Sequence, residues 1–174
     1  RGHGAAADDA RHPLLTVSTT LDGHGLSITL HDEPGAPDLD VVDSGLGRSN
    51  DEAAPLHEVR PLACFLRDAD GRVHGGAVGR RWGPCCELQQ LWVEPALRRQ
   101  GLGARLVHAF EGRARKHGCT IAYLETLSFQ APSLYRSLGY VTVHEHAVFP
   151  HGIVRHLMVH ALACTPQAAD QVPQ

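Results

Sequence analysis

Residues 98–106 read RRQGLGARL, and the periodicity of the segment they open decides how the stretch is understood. Leu102, Leu106, Val107, Phe110 and Ala114 recur at steps of three and four, the apolar stripe of an amphipathic helix. The pattern predicts a helix over 101–117. Arg113, Arg115, Lys116 and His117 supply cations for its last turns, and Gly118 is the expected stop. A helix that begins near Gly101 leaves its first N–H groups without partners, and these donors together with the helix dipole attract an anion. Gly101 and Gly103 let the backbone come close to such an anion, and Arg98 and Arg99 add charge that suits phosphate oxygens. Residues 98–104 therefore describe a phosphate cradle.

The choice of phosphate narrows by elimination. A triphosphate-binding loop needs Lys and Ser/Thr after its last glycine, whereas Ala104 and Arg105 follow Gly103. A dinucleotide fingerprint needs a third glycine where Leu106 stands, and a strand that leads straight into the glycines. Here the segment EPALRRQ intervenes after Val93. A helix start that contains two glycines by chance is the competing explanation for the pair taken alone.

On the N-terminal side, LQQLWV (88–93) reads as a strand that stops at Pro95. Further upstream, RPLACFLRDADGRVHGGAVGRRW holds two strands about Asp70-Gly71, a strong hairpin signal. Residues 14–20 and 25–33 make a further hairpin, and 34–55 read mostly as loop with a short helix around 37–45. Downstream come a strand at 119–126, a short helix at 131–139 and two strands on either side of Pro150-His151-Gly152. Antiparallel hairpins with one strand–helix–strand crossover give an α+β (mixed α/β) fold. Residues 1–13 lack the apolar run of a signal peptide and are expected to be disordered, as is 164–174, leaving one domain over 14–163.

The chain has 174 residues, 43% apolar and 20% charged, with a formal charge of −3. That balance argues against a general nucleic-acid binder, and no run approaches the ~18 apolar residues of a membrane span. Five cysteines, an odd number without zinc-ligand spacing, fit a reducing cytoplasm. Thirteen histidines include His144, His146, His151, His156 and His160 near the end, but nothing in the sequence fixes a ligand geometry, so no metal is expected.

The succession of LQQLWV, EP, RRQGLG and an amphipathic helix resembles the GNAT superfamily of acyl-CoA-dependent N-acyltransferases, whose signature at this junction is Arg/Gln-x-x-Gly-x-Gly/Ala. Arg98, Gly101 and Gly103 match it. SFQAPSLYRSLGY is similar to a second family pattern, carried by Ser128, Ala131, Tyr135, Gly139 and Tyr140. The order of elements from about residue 60 to 163 agrees as well, and the chain is most similar to small bacterial members.

The resemblance implies a central, mostly antiparallel twisted sheet flanked by helices, with a splayed strand pair. It implies acetyl-CoA as co-substrate and no metal. The coenzyme's diphosphate would lie on Arg98, Arg99, Gln100, Gly101, Leu102, Gly103 and Ala104, and its pantetheine arm along Leu91, Trp92 and Val93. Ser128 and Ser133 are implied as further cofactor contacts. The thioester would lie between the splayed strands, with an oxyanion donor in the N–H of Leu91 or Val93. Tyr135 matches the family's acid for the leaving thiolate. For the base, Glu87, Glu125 and a water chain stay open, with Glu87 expected to share a strand face with Gln89 and Leu91. Trp82 is a candidate wall of the acceptor pocket. The acceptor is expected to be a small-molecule amine, with no nucleic acid or membrane as partner and a homodimer allowed. A non-catalytic acyl-CoA sensor and a peptide or protein acetyltransferase are the alternatives.

Overall fold

The structure, a computed structural model, describes residues 17–21 and 25–162. The ends expected to be disordered, 1–13 and 164–174, lie outside the described residues. Where the sequence suggests one domain over 14–163, the packing groups the chain into two compact units, Arg1–Pro55 and Leu56–Gln174.

In the first unit, β1 (Val17–Leu21) and β2 (Leu26–Leu30) pair antiparallel from Val17↔Leu30 to Leu21↔Leu26, the hairpin the turn residues predict. Helix α1 runs over Ala36–Ala53, so the short helix expected around 37–45 is corrected to 18 residues. Gly45 and Gly47 each lower helix propensity by about 1 kcal/mol relative to alanine, which is why the segment reads as loop. Pro37 is nevertheless tolerated in the first turn, Asp38 suits the dipole there, and no later proline interrupts the ladder before Pro55.

The second unit is built on six strands: β3 (Arg60–Arg67), β4 (Val73–Trp82), β5 (Cys85–Val93), β6 (Ile121–Leu127), β7 (Val141–His146) and β8 (Arg155–Ala161). Their order across the sheet is β3-β4-β5-β6-β8-β7. Every pair is antiparallel except β5 and β6, which are joined through α2 (Leu102–Lys116). A short α3 (Pro132–Ser137) follows β6.

Helix α2 buries Leu106, Val107, Phe110 and Ala114 in a core with Leu62, Ala77, Leu88, Leu124 and Met158. It ends as predicted: Gly118 takes φ +84°, its N–H donates to Arg115 and the Cys119 N–H donates to Ala114. That double closure satisfies carbonyls the helix would otherwise leave open. The core thus fixes α2 across the sheet and points its N-terminus at the end of β5.

Candidate active site

Between Val93 and α2 the chain makes one turn of 3-10 helix at Pro95–Leu97, then turns sharply. Arg99 holds a left-handed φ of 59° and Gly101, the N-cap of α2, a φ of 76°. A non-glycine residue in that region is strained, and such outliers gather at functional sites. No side chain caps α2. Its leading N–H groups are therefore presented to whatever lies at the helix start, the arrangement an anion requires. The Arg98 Nε donates to the Val93 carbonyl at 2.9 Å, which ties the turn before α2 to the end of β5. Around a Cβ built on Gly101 there is open space, and on Gly103 such a Cβ would meet only Leu134 Cδ2 at 3.5 Å. Gly101 is thus required by its backbone angle.

β5 and β6 share three rungs, Cys85↔Ile121, Cys86↔Ala122 and Glu87↔Tyr123, and then part. From Leu88 onward the β6-facing backbone groups of β5 have no ladder partner. A cavity of about 160 Å³ opens there, walled by Leu88 to Leu91 of β5 and by Glu125 and Thr126 of β6, with Gln130, Ala131 and Tyr135 closing it. Tyr135 is buried, and burial pushes its phenol up to about 12. No hydrogen bond to its hydroxyl is present among the described residues, so the O–H is available to a group in the cavity. Tyr140 packs edge-on to Tyr135, ring centroids 5.7 Å apart.

The candidate carboxylates stand apart from one another. Glu87 accepts from Arg80 Nε at 2.6 Å and from Gln89 Nε2 at 3.2 Å. It lines a second cavity of about 430 Å³ with Leu56, Val59, Arg80, Trp82 and Tyr123. Glu125, more than half exposed, pairs with Arg155 at 3.5 Å and borders the gap. The expected face-sharing of Glu87 with Gln89 and Leu91 is corrected. Gly79 pairs with Leu88 but Val78 pairs with Gln90, so Gln89 is an extra residue in a bulge and side-chain parity changes there. Glu87 accordingly shares its face with Gln90 and Trp92, while Leu91 turns with Leu88 and Val93 toward the core.

The remaining expected cofactor contacts are scattered around the gap. Leu91 lines the gap cavity, Trp92 is half-exposed on the face away from α2, and Val93 is buried with its carbonyl taken by Arg98. The Ser128 hydroxyl accepts the Val154 N–H at 3.1 Å, and Ser133 is exposed on α3. Trp82 lines the second cavity. Among the described residues no cluster of three or more His, Cys, Asp or Glu is arranged to hold a metal, and no helix is long and apolar enough to cross a membrane.

Several residues of the region go unread in the sequence. Gln130 Oε1 accepts from the Thr126 hydroxyl at 3.1 Å and the Leu127 N–H at 2.8 Å, folding the β6–α3 link over the gap. Glu111, fully buried in α2, accepts from His160 Nδ1 at 3.0 Å and Arg115 at 3.2 Å. Arg80 and Tyr123 frame Glu87, and their recognition needs the strand register, which no local pattern carries.

Known proteins resemble the chain in sequence and in fold. The profile of the acetyltransferase (GNAT) family matches residues 36–140. Blasticidin-S acetyltransferase of Streptomyces morookaense is 38% identical over 112 residues, covering 64% of this chain and 80% of that protein. An acetyltransferase of Agrobacterium fabrum is 34% identical over 84 residues, 48% of this chain and 61% of that protein. In structure, an acetyltransferase from Bacillus cereus superposes with a TM-score of 0.63 at 25% identity, covering 76% of this chain and 98% of that one. An acetyltransferase candidate from Agrobacterium tumefaciens superposes with a TM-score of 0.67 at 26% identity, covering 78% and 99%.

Proposed function

The chain belongs to the acetyltransferase (GNAT) family, and from that premise we propose that it moves an acetyl group from acetyl-CoA to a primary amine of a small molecule, by direct attack in a ternary complex. One observation carries the reading: the gap between β5 and β6 opens beside an uncapped, glycine-started helix and holds Tyr135. The coenzyme's diphosphate would take the amides at the start of α2, with Arg98 to Ala104 around it, and its pantetheine arm the unpaired edge of Leu91 to Val93. Ser133, exposed on α3, would contact the coenzyme; Ser128 could do so only with the capacity its bond to Val154 leaves free. The relative named for blasticidin S supports a small-molecule acceptor, and the free thiols of Cys64, Cys85, Cys86 and Cys119 support a reducing, cytoplasmic setting.

The groups in the gap define the chemistry. The amine nitrogen attacks the thioester carbonyl carbon, the C–N bond forms, and the oxyanion is held by a backbone N–H of Leu91 or Val93. The C–S bond breaks and the thiolate takes the Tyr135 proton. A phenol held up to about 12 stays protonated over the working pH range, as an acid must. The proton lost by nitrogen goes to Glu87 or Glu125, directly or through water.

The test is thiol release over a panel of amines and peptides, run beside titrations with acetyl-CoA, ATP and NAD. Acetyl-CoA should bind in preference to both nucleotides, and Tyr135→Phe should lower kcat roughly 100-fold or more. Preference for ATP, or tight acetyl-CoA binding without turnover of any amine, would overturn the assignment.

A further inference from the structure

The larger cavity lies on the sheet face away from α2, and three strands build it. Cross-strand pairs Trp82↔Cys85, Arg80↔Glu87 and the parallel rung Glu87↔Tyr123 set five side chains on one face. Leu56 and Val59, leading into β3, add apolar walls. At about 430 Å³ the cavity has the size of a small-ligand pocket. Its charged groups are the ion pair of Arg80 Nε with Glu87 Oε2 and, beside it, Arg81.

That pair does not exhaust either partner. A guanidinium carries five donors, and Arg80 spends Nε on Glu87, its sole carboxylate partner among the described residues. Glu87 uses Oε2 for both Arg80 and Gln89, which leaves Oε1 as an acceptor. A ligand that offers a carboxylate to the Nη edge of Arg80 and an ammonium to Glu87 Oε1 would extend the pair into a closed four-charge ring. A ligand with the ammonium alone would have to compete with Arg80 for Glu87. Trp82, 41% exposed, and Tyr123 offer aromatic faces to the rest of such a molecule.

Position makes the pocket useful to the reaction. Glu87 belongs to the last rung before β5 and β6 part, and Leu88, the next residue, already lines the gap. At about 3.3 Å per residue, an amine held by Glu87 lies within a residue or two of the opening.

We propose that this cavity seats the acceptor and selects a zwitterionic amine: a carboxylate read by Arg80, an amine delivered by Glu87 to the gap, and a flat apolar or aromatic body against Trp82 and Tyr123. The proposal rests on the acetyltransferase reading and names the acceptor class it serves. The ammonium first gives one proton to water to become a neutral amine. As nitrogen gains the acetyl carbon its second proton goes to Glu87 or its water, and the thiolate leaves with the Tyr135 proton, which the phenolate regains from solvent.

The experiment compares aromatic amino acids and related ring-bearing amino carboxylates with their uncharged amides, by kcat/KM and by equilibrium binding followed through tryptophan fluorescence. Carboxylates should be preferred tenfold or more in both, and Arg80→Gln should erase the preference while the KM for acetyl-CoA stays put. Arg80→Lys, which keeps the charge without the planar fork, should restore part of it. Turnover with no discrimination between acid and amide, or discrimination that survives Arg80→Gln, would overturn the proposal and leave the acetyltransferase reading standing. Discriminating binding through Arg80 without turnover of any amine would uphold the pocket and sink the enzyme assignment instead.

Discussion

Gly101 holds φ +76° with nothing within 4 Å of a Cβ built on it, so an alanine there would meet no atom but would have to keep a left-handed backbone. That conformation costs an L-residue about 1–2 kcal/mol. Gly101→Ala should therefore lower stability by about that amount in urea titration. It should also weaken coenzyme A binding by calorimetry, roughly 5- to 30-fold if the strain is relieved by turning the amides away. Unchanged values in both measurements would remove the cradle from the mechanism. The glycine's place at the helix start, and the role we propose for it, are legible in the sequence because their causes are local: a helix start, orphan donors and flanking arginines. Glu111 shows the opposite case. A carboxylate at an apolar stripe's edge reads as the boundary of the solvent face, and its burial depends on His160, 49 residues away.

At the scale of elements, β4 decides which side chains β5 presents. A Cβ at Gly79 would lie 1.8 Å from the Glu87 carbonyl oxygen and 3.1 Å from Phe110 Cζ, so the close approach that accompanies the bulge at Gln89 is open only to glycine. Alternation within β5 predicts Glu87 beside Leu91; the register with β4 reverses it, and that register is invisible to a reading of β5 alone. β4 also carries His74, whose Nε2 lies 2.7 Å from Asp68 and whose Nδ1 bonds Glu94 at the end of β5. Glu94, and after it Asp68, hold the imidazole above its ordinary value. The folded pKa therefore exceeds the unfolded one, so the clamp's stability is fully present below about 6.5 and is lost as pH rises through the folded value. His74→Gln should widen the Tm gap to the parent at pH 6 and narrow it at pH 9. A gap that grows with pH would contradict the clamp. Because Glu94 leads into Pro95 and the cradle, the same pH series run with bound coenzyme A reads whether the clamp reaches the site.

Across the whole second unit, one line of contacts joins the helix that starts at Gly101 to Tyr135, the acid we propose, in the gap. Glu111 of α2, wholly buried, bonds His160 of β8. His160 lies against Gly139, where an added Cβ would come within 3.0 Å of Nε2, and its ring sits 5.0 Å from that of Tyr140. Tyr140 in turn packs on Tyr135 and donates its backbone N–H to the Tyr135 carbonyl at 3.0 Å. Burial, with the Glu111 carboxylate adding to it, pushes the Tyr140 phenol up and keeps it neutral beside that charge. Glu111→Gln keeps the shape and removes the charge-assisted bonds, which should cost about 2 kcal/mol in urea titration. The cradle lies nearly three helical turns away, about 15 Å at 1.5 Å per residue, so the KM for acetyl-CoA should stay within about twofold. The kcat should fall several-fold as Tyr140 loses its support and Tyr135 its fixed orientation. Arg115→Gln provides the comparison: it touches the same carboxylate from a side chain that is 30% exposed, and should cost at most about 1 kcal/mol. If Glu111→Gln raised the KM for acetyl-CoA as much as it lowered kcat, the carboxylate would be holding α2 as a whole, and the line from Glu111 to Tyr135 would carry no special weight in the reaction.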